Sequence, residues 1–296
     1  MRIEEIVKIG LKCGKEREPS GKYEDEFDDS GILNGEPQDE ARRVAVGIDI
    51  ESQELLLVSE LSKRGEKIDL VIAHHPEGKT IYNLYKMIKI QEGLLINYGG
   101  NSSSAQSSIS KAEGKYKKAY GSINYNRSVE TAKLLGIPFI NIHTPADNMV
   151  HKYLQEKFDS AGELTLKEVV DILLKEEEYA AAEKDGAGPF IASGKESYRC
   201  GKIVVDMTGG VEADKTIYPI LESAGVGTIV GMHMSEEHLK EAEKHNLNVI
   251  IAGHMASDTI GMNLLLDEIE KDLHVGDIVS LGTKAFAPII QKMKEK

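Results

Sequence analysis

Leu70-Val71-Ile72-Ala73-His74-His75-Pro76 reads as a short apolar strand that ends in two histidines and a proline. A run apolar at every position suits a strand covered on both faces, as in a parallel sheet. Pro76 cannot donate to a ladder, so it marks the end of pairing. The same grammar recurs in Phe139-Ile140-Asn141-Ile142-His143-Thr144-Pro145-Ala146-Asp147. It recurs again in Val249-Ile250-Ile251-Ala252-Gly253-His254-Met255-Ala256-Ser257-Asp258. In open α/β folds ligands bind beyond the carboxyl ends of the strands. Three such ends therefore place histidines and carboxylates on the side where a site is expected.

Outward from these strands the pattern alternates. In the first part, strands are predicted at 44–48, 70–73 and 139–142, and helices at 51–63, 80–95, 128–135, 148–158 and 165–175. Residues 176–188 read as a helix end and linker. A second series follows, with strands at 202–205, 228–230 and 248–252 and helices at 213–223, 236–244 and 258–269. This rhythm predicts an α/β fold with two layered domains and mainly parallel strands. The expected division is an N-terminal domain over 1–160 and a C-terminal domain over 161–296. The rhythm of the two halves is similar and permits two related domains.

Two polar stretches interrupt the alternation. Residues 15–40 carry Glu24, Asp25, Glu26, Asp28 and Asp29 and read as an acidic surface loop. Residues 99–121 open with Gly99-Gly100-Asn101, continue through six serines, and turn basic at Lys111, Lys115, Lys117 and Lys118. Their composition predicts a flexible loop. It is read either as a lid that attracts a substrate phosphate or as a surface insertion.

The chain has 296 residues, a formal net charge of −13 and a pI near 5.3. So acidic a surface repels nucleic-acid phosphate and anionic lipid. Cys13 and Cys200 form no paired motif and fit a reducing compartment. No tryptophan is present to stack a base. Residues 1–14 have amphipathic helical spacing rather than a signal-peptide core, and no apolar run approaches the ~20 residues of a membrane span. The expectation is a cytoplasmic protein without membrane association.

The strand ends supply four histidines, His74, His75, His143 and His254, and two aspartates, Asp147 and Asp258. His143 and Asp147 are four apart, as are His254 and Asp258, so each pair shares one face if it enters a helix. At the strand end His74 and His75 can splay toward two ions. Imidazole with carboxylate suits Zn, Fe, Mn, Co or Ni without choosing among them. Six donors exceed the three of a typical catalytic zinc site, and a two-metal centre would use them all. His233 either faces the site or lies in a loop. His151, His238, His245 and His274 sit among charged residues and read as surface. Asp206-Met207-Thr208-Gly209-Gly210 is either an anion-binding turn before a helix or a plain turn. No phosphate-binding lysine loop, dinucleotide fingerprint or nucleophile elbow is present.

At these clusters the sequence resembles the NIF-three-like family, known as domain of unknown function thirty-four, some of whose members carry the designation type-two GTP cyclohydrolase I. His74-His75-Pro76, the stretch His143 to Asp147, and Gly253-His254 with Asp258 carry the resemblance in order along the chain. It implies two divalent metals in a cleft between α/β domains, held by His74, His75, Asp147, His254 and Asp258. It implies His143 behind these ligands or as a proton shuttle, and a ring-like homohexamer. Asp258 stands where bacterial members usually have glutamate, and Pro145-Ala146 where asparagine-leucine is commoner. The function expected is a dinuclear-metal hydrolase or cyclohydrolase acting on a small nucleotide-like or phosphorylated molecule, with GTP one candidate. The alternative is a non-catalytic metal-binding regulatory or adaptor protein. The first predicts an open metal position beside a pocket, the second a filled shell and an exposed apolar patch.

Overall fold

The computed structural model describes residues 1–272 and the backbone of the strand at 277–280. Helix α1 (Ile3–Glu16) buries Ile3, Ile6, Val7 and Cys13, the stripe its amphipathic spacing predicts. The first sheet contains β1 (Gly31–Asn34), β2 (Arg43–Gly47), β3 (Leu70–Ala73) and β4 (Phe139–Asn141), with α2 (Ser52–Lys63) and α6 (Arg127–Leu135) among its connections. The second contains β5 (Phe190–Ser193), β6 (Lys202–Asp206), β7 (Val226–Gly231) and β8 (Asn248–Ile251), connected through α10 (Ile217–Ser223) and α11 (Glu236–Lys244). Strand β9 (Asp277–Ser280) returns to the first sheet beside β2, giving the order β1-β4-β3-β2-β9 against β5-β8-β7-β6.

The two sheets repeat one design. Each has an antiparallel edge strand, β1 or β5, on a run of parallel strands, four in the first sheet and three in the second, and each edge pair carries a register shift, at Ile32/Asn34 and at Ile191/Ser193. Those edge strands, four residues each, were not expected from the sequence.

Helices α7 (Thr144–Ala161) and α12 (His254–Asp272) join the halves. Ala146 and Met149 of α7 and Met262, Leu265, Leu266 and Ile269 of α12 pack in the core with β2 and β3. Val150, Leu154 and Phe158 of α7 and Ala256 and Ile260 of α12 pack in the core with β6, β7 and β8. Their close approach depends on Gly261, where a Cβ would lie 2.5 Å from the Ala146 carbonyl oxygen. No side chain longer than hydrogen fits that gap. The contact lies one residue from Asp147 and one turn from Asp258, so it sets how near the two carboxylates come.

Several expectations are corrected. Residues 99–121 are not a flexible loop: Ser102–Tyr120 forms α5. The Asn101 side chain accepts the Ser103 and Ser104 amides at 2.9 and 3.3 Å, and Ala105, Ser108, Ile109 and Ala112 make a buried stripe at helical spacing. The helix expected over 80–95 is divided into α3 (Lys79–Asn83), a 3₁₀ turn over Leu84–Ile88, and α4 (Lys89–Asn97). The stretch at 176–188 contains α9 (Glu177–Lys184), after α8 (Leu166–Leu173). The acidic stretch is not wholly at the surface, because Tyr23 and Phe27 pack with Leu84, Met87, Ile90 and Leu94, and Asp29 is fully buried. No helix among the described residues is long and apolar enough to cross a membrane.

Among the histidines read as surface, His238 is buried and its Nδ1 lies 2.9 Å from the Tyr218 hydroxyl. His245 is partly exposed and paired with Glu222 at 2.7 Å, and His274 lies outside the described residues. His151 of α7 is buried, its Nδ1 without a hydrogen-bond partner, and burial holds its pKa down at about 4. The unfolded chain takes up a proton there near 6.5. Stability contributed by neutral His151 is therefore complete above pH 6.5 and lost as pH falls toward 4, by about 3 kcal/mol. We expect His151→Asn to remove this part of the slope. Denaturant unfolding of both proteins at pH 7 and pH 4.5 checks it, since equal slopes would place no titrating imidazole there.

Candidate metal centre

The ladder of the first sheet runs one step past β3. The His74 and His75 amides donate to Gly47 and Ile48 carbonyls at 2.9 and 3.0 Å, which fixes the backbone from which both imidazoles project. His74 Nδ1 donates to the Ile142 carbonyl at 3.2 Å, His75 Nδ1 to Asp49 Oδ1 at 2.6 Å, and His143 Nδ1 to Asp29 Oδ2 at 2.7 Å. Each of these rings therefore has one nitrogen tied to an oxygen behind it and its Nε2 turned inward. Ligating histidines are commonly oriented in this way.

The inward atoms converge on two aspartates. Asp147 stands in the first turn of α7, where the helix dipole favours a negative charge, and Asp258 stands one turn into α12. His74 Nε2 is 3.3 Å from Asp147 Oδ1 and 3.6 Å from Asp258 Oδ1. His75 Nε2 and His254 Nε2 are 3.2 and 3.3 Å from Asp258 Oδ2. The i, i+4 pairs meet as their spacing predicts, although His143 Nε2 is farther from Asp147 Oδ2, at 3.7 Å. Thus all six histidines and aspartates singled out from the strand ends come together. Three overlapping groups among them could hold a metal ion: His74, His75 and His143; His75, His254 and Asp258; and His74, Asp147 and Asp258. His74 and His75 do splay, but toward the two oxygens of one carboxylate.

Electrostatics fit a cation at this point. His74 Nε2 and both oxygens of Asp258 are buried and have no hydrogen-bond partner, an arrangement costing about 1–3 kcal/mol per group unless something binds. Burial disfavours charge on His74, but Asp258 and Asp147 outweigh it and raise its pKa to about 10. Burial likewise opposes ionisation of Asp258, yet His74, His75 and His254 draw it far below the usual carboxylate range. The carboxylates thus already concentrate positive charge where a divalent ion would sit.

A cleft of about 70 Å³ opens over this cluster. His143, Asp147 and Gln91 of the first half line one side; Asp206, Thr208, Gly210, Glu212, His233, His254 and Asp258 line the other. His233 faces the site, its ring 4.9 Å from that of His254. The segment at 206–210 does not lead directly into a helix, since α10 begins only at Ile217; it forms the wall of the cleft. Gln91 Nε2 donates to the Thr208 and Val211 carbonyls, both at 3.1 Å, and Gly210 is pressed against Leu84 and His143. Gly253, just before α12, has a φ of +108°, a conformation that favours glycine. No lysine or arginine is among the described residues lining the cleft. Lys117 instead lies over the Tyr85 ring at 5.6 Å and Lys115 over the Tyr116 ring at 5.1 Å, so the phosphate-seeking lid is not borne out.

Sequence reasoning missed Asp29 and Asp49. Asp49 follows the predicted strand at 44–48 directly, the signal that exposed the other strand ends. Asp29 had none, being one acid within an acidic run.

No protein-family model matches the chain, and no curated protein matches it. Solved structures do. A NIF3 superfamily protein from Sphaerobacter thermophilus is 26% identical over 94% of this chain and 96% of its own, with a TM-score of 0.77. Reduced HcgD from Methanocaldococcus jannaschii is 13% identical, over 96% of this chain and 98% of its own, with a TM-score of 0.56. A Bacillus cereus protein related to NIF3 is 14% identical over 96% and 98% of the two chains, with a TM-score of 0.52. The last two share the fold.

Proposed function

We propose, from the premise that this chain is a NIF3-like protein, that it is a hydrolase or cyclohydrolase dependent on two divalent metal ions. His74, Asp147 and Asp258 would hold one ion, and His75, His254 and Asp258 the other. The observation that carries this reading is the Asp258 carboxylate, buried and without hydrogen bonds, whose two oxygens face three imidazoles. When bound, such a pair of ions lowers the pKa of a water and stabilises charge developing on the attacked group.

The chain's own residues supply the rest. Asp49 and the Ile142 carbonyl orient His75 and His74. The Gln91-held wall at 206–212 shapes the space a substrate enters. His254 is 40% exposed at its side chain, so the cluster opens to the cleft instead of closing around its donors. That supports the hydrolase over the adaptor. The cleft suits a small polar group better than a whole nucleotide, whose pockets typically run to ~300–1,000 Å³. A phosphorylated substrate such as GTP, the finer form of this reading, would rely on the ions to hold its phosphates.

Elemental analysis of the purified protein, followed by a screen of esters, amides, cyclic amides and nucleotides with Zn, Fe, Mn, Co or Ni restored, tests the proposal. We expect two equivalents of metal per chain and turnover that needs them. A protein that takes up no metal would end this reading, and one that binds two ions without turnover would favour the adaptor.

A further inference from the structure

We infer that Asp29 is a positioning residue that holds His143 as its Nδ1–H tautomer, so that Nε2 presents a lone pair to the cleft as a proton acceptor. This deepens the metal-centre reading and rests on it for the acceptor's purpose, but not for the tautomer.

Asp29 Oδ2 receives three donors: the Thr144 amide at 3.1 Å, the Thr144 hydroxyl at 2.6 Å and His143 Nδ1 at 2.7 Å. The amide can only donate, which makes this oxygen an acceptor and places the ring proton on Nδ1. Asp29 is itself fastened. The Asn141 side chain donates to its carbonyl at 2.6 Å, and the neighbouring Ser30 hydroxyl accepts the His143 amide at 2.9 Å. Tyr23 and Phe27 anchor the preceding turn in an apolar cluster. A fully buried carboxylate held this way has no freedom to release the ring.

His143 stands apart from the ligands in one respect. Both metal-capable groups that include a carboxylate are complete without it. Its ring centroid is 4.8 Å from that of His74, and it lines the cleft beside Gly210. With its Nδ1–H held by Asp29, the ring at the edge of the centre turns Nε2 toward the cleft, where water or substrate can reach it.

The test is nitrogen-15 NMR of the histidine side chains in the full-length protein, without metal and with zinc, using His143→Gln to identify the resonance. We expect His143 as the Nδ1–H tautomer in both forms. We expect zinc to shift His74, His75 and His254 while leaving His143 Nε2 unligated. In Asp29→Asn the oxygen that keeps the Thr144 hydrogen bonds also keeps His143 Nδ1–H, so the tautomer should hold. In Asp29→Ala that acceptor is gone and the Nδ1–H tautomer should no longer dominate, with zinc content unchanged. Once a substrate is found, kcat should fall about 100-fold in this variant with KM nearly constant. An Nε2–H tautomer in the wild type, or an unaltered tautomer in Asp29→Ala, would overturn the assignment. So would a zinc shift at His143 Nε2 equal to that of His74. The wild-type spectrum decides even if the variant fails to fold. Failure of the metal reading would show separately, as zinc shifting none of the four rings.

Discussion

Asp258→Asn is expected to weaken metal binding at both positions, not at one. Asparagine keeps the shape of the side chain but removes a charge and turns one oxygen into an NH₂ that cannot ligate. Sequence spacing alone assigns Asp258 to the ion of His254 and would confine the damage there. The structure gives it the shared place: Oδ1 faces His74 and Oδ2 faces His75 and His254. Loss of a group that merely orients a ligand costs 10–100-fold in affinity, so losing a shared ligand should cost roughly 100-fold or more. Asp147, in one carboxylate group only, should cost about one equivalent of metal when changed to alanine. Asp258→Glu should retain both ions with an altered rate, since glutamate is the residue usual in the bacterial proteins this sequence resembles. Calorimetric titration of the metal-free proteins distinguishes the cases. One full-affinity site surviving in Asp258→Asn would show that the carboxylate is not shared.

Removing the metals should cost the protein a large part of its heat resistance. An ion present at 1,000 times its Kd stabilises the folded state by about 4 kcal/mol, provided it does not bind the unfolded chain. Two ions would contribute about twice that. For chains of this size about 1 kcal/mol moves Tm by roughly 2–4 °C, so chelation should lower Tm by on the order of 10 °C or more. Scanning calorimetry with and without zinc measures the shift, and Asp258→Asn is the control in which most of it should vanish. An unchanged wild-type Tm would mean that metal is not bound tightly.

Much of the centre was legible in the sequence because strand chemistry is local. An apolar run closed by histidine and proline reveals both the strand and the donors beyond it, and His254 and Asp258 show their shared face by spacing alone. What escaped depended on distant parts of the chain. Asp29 meets His143 only because Tyr23 and Phe27 sink into a cluster built from residues 84–94, and nothing in an acidic run marks which acid is buried. Helix α5 failed for another reason. Its stripe of Ala105, Ser108, Ile109 and Ala112 was present, but serine and lysine around it suggested disorder more strongly than one isoleucine among three small residues suggested a buried face.

The passage of α12 into the core of the first sheet bears on the order of events in folding. Leu70–Pro76 and His254–Asp258 are far apart along the chain, and the packing of α12 against α7 brings them together. Closing so long a loop is entropically costly and is achieved late. The donor set is therefore incomplete through most of the search for the native state, and an ion has little to hold in the transition state. Bound metal should accordingly act on the way out more than on the way in, slowing unfolding and leaving the refolding rate almost unchanged.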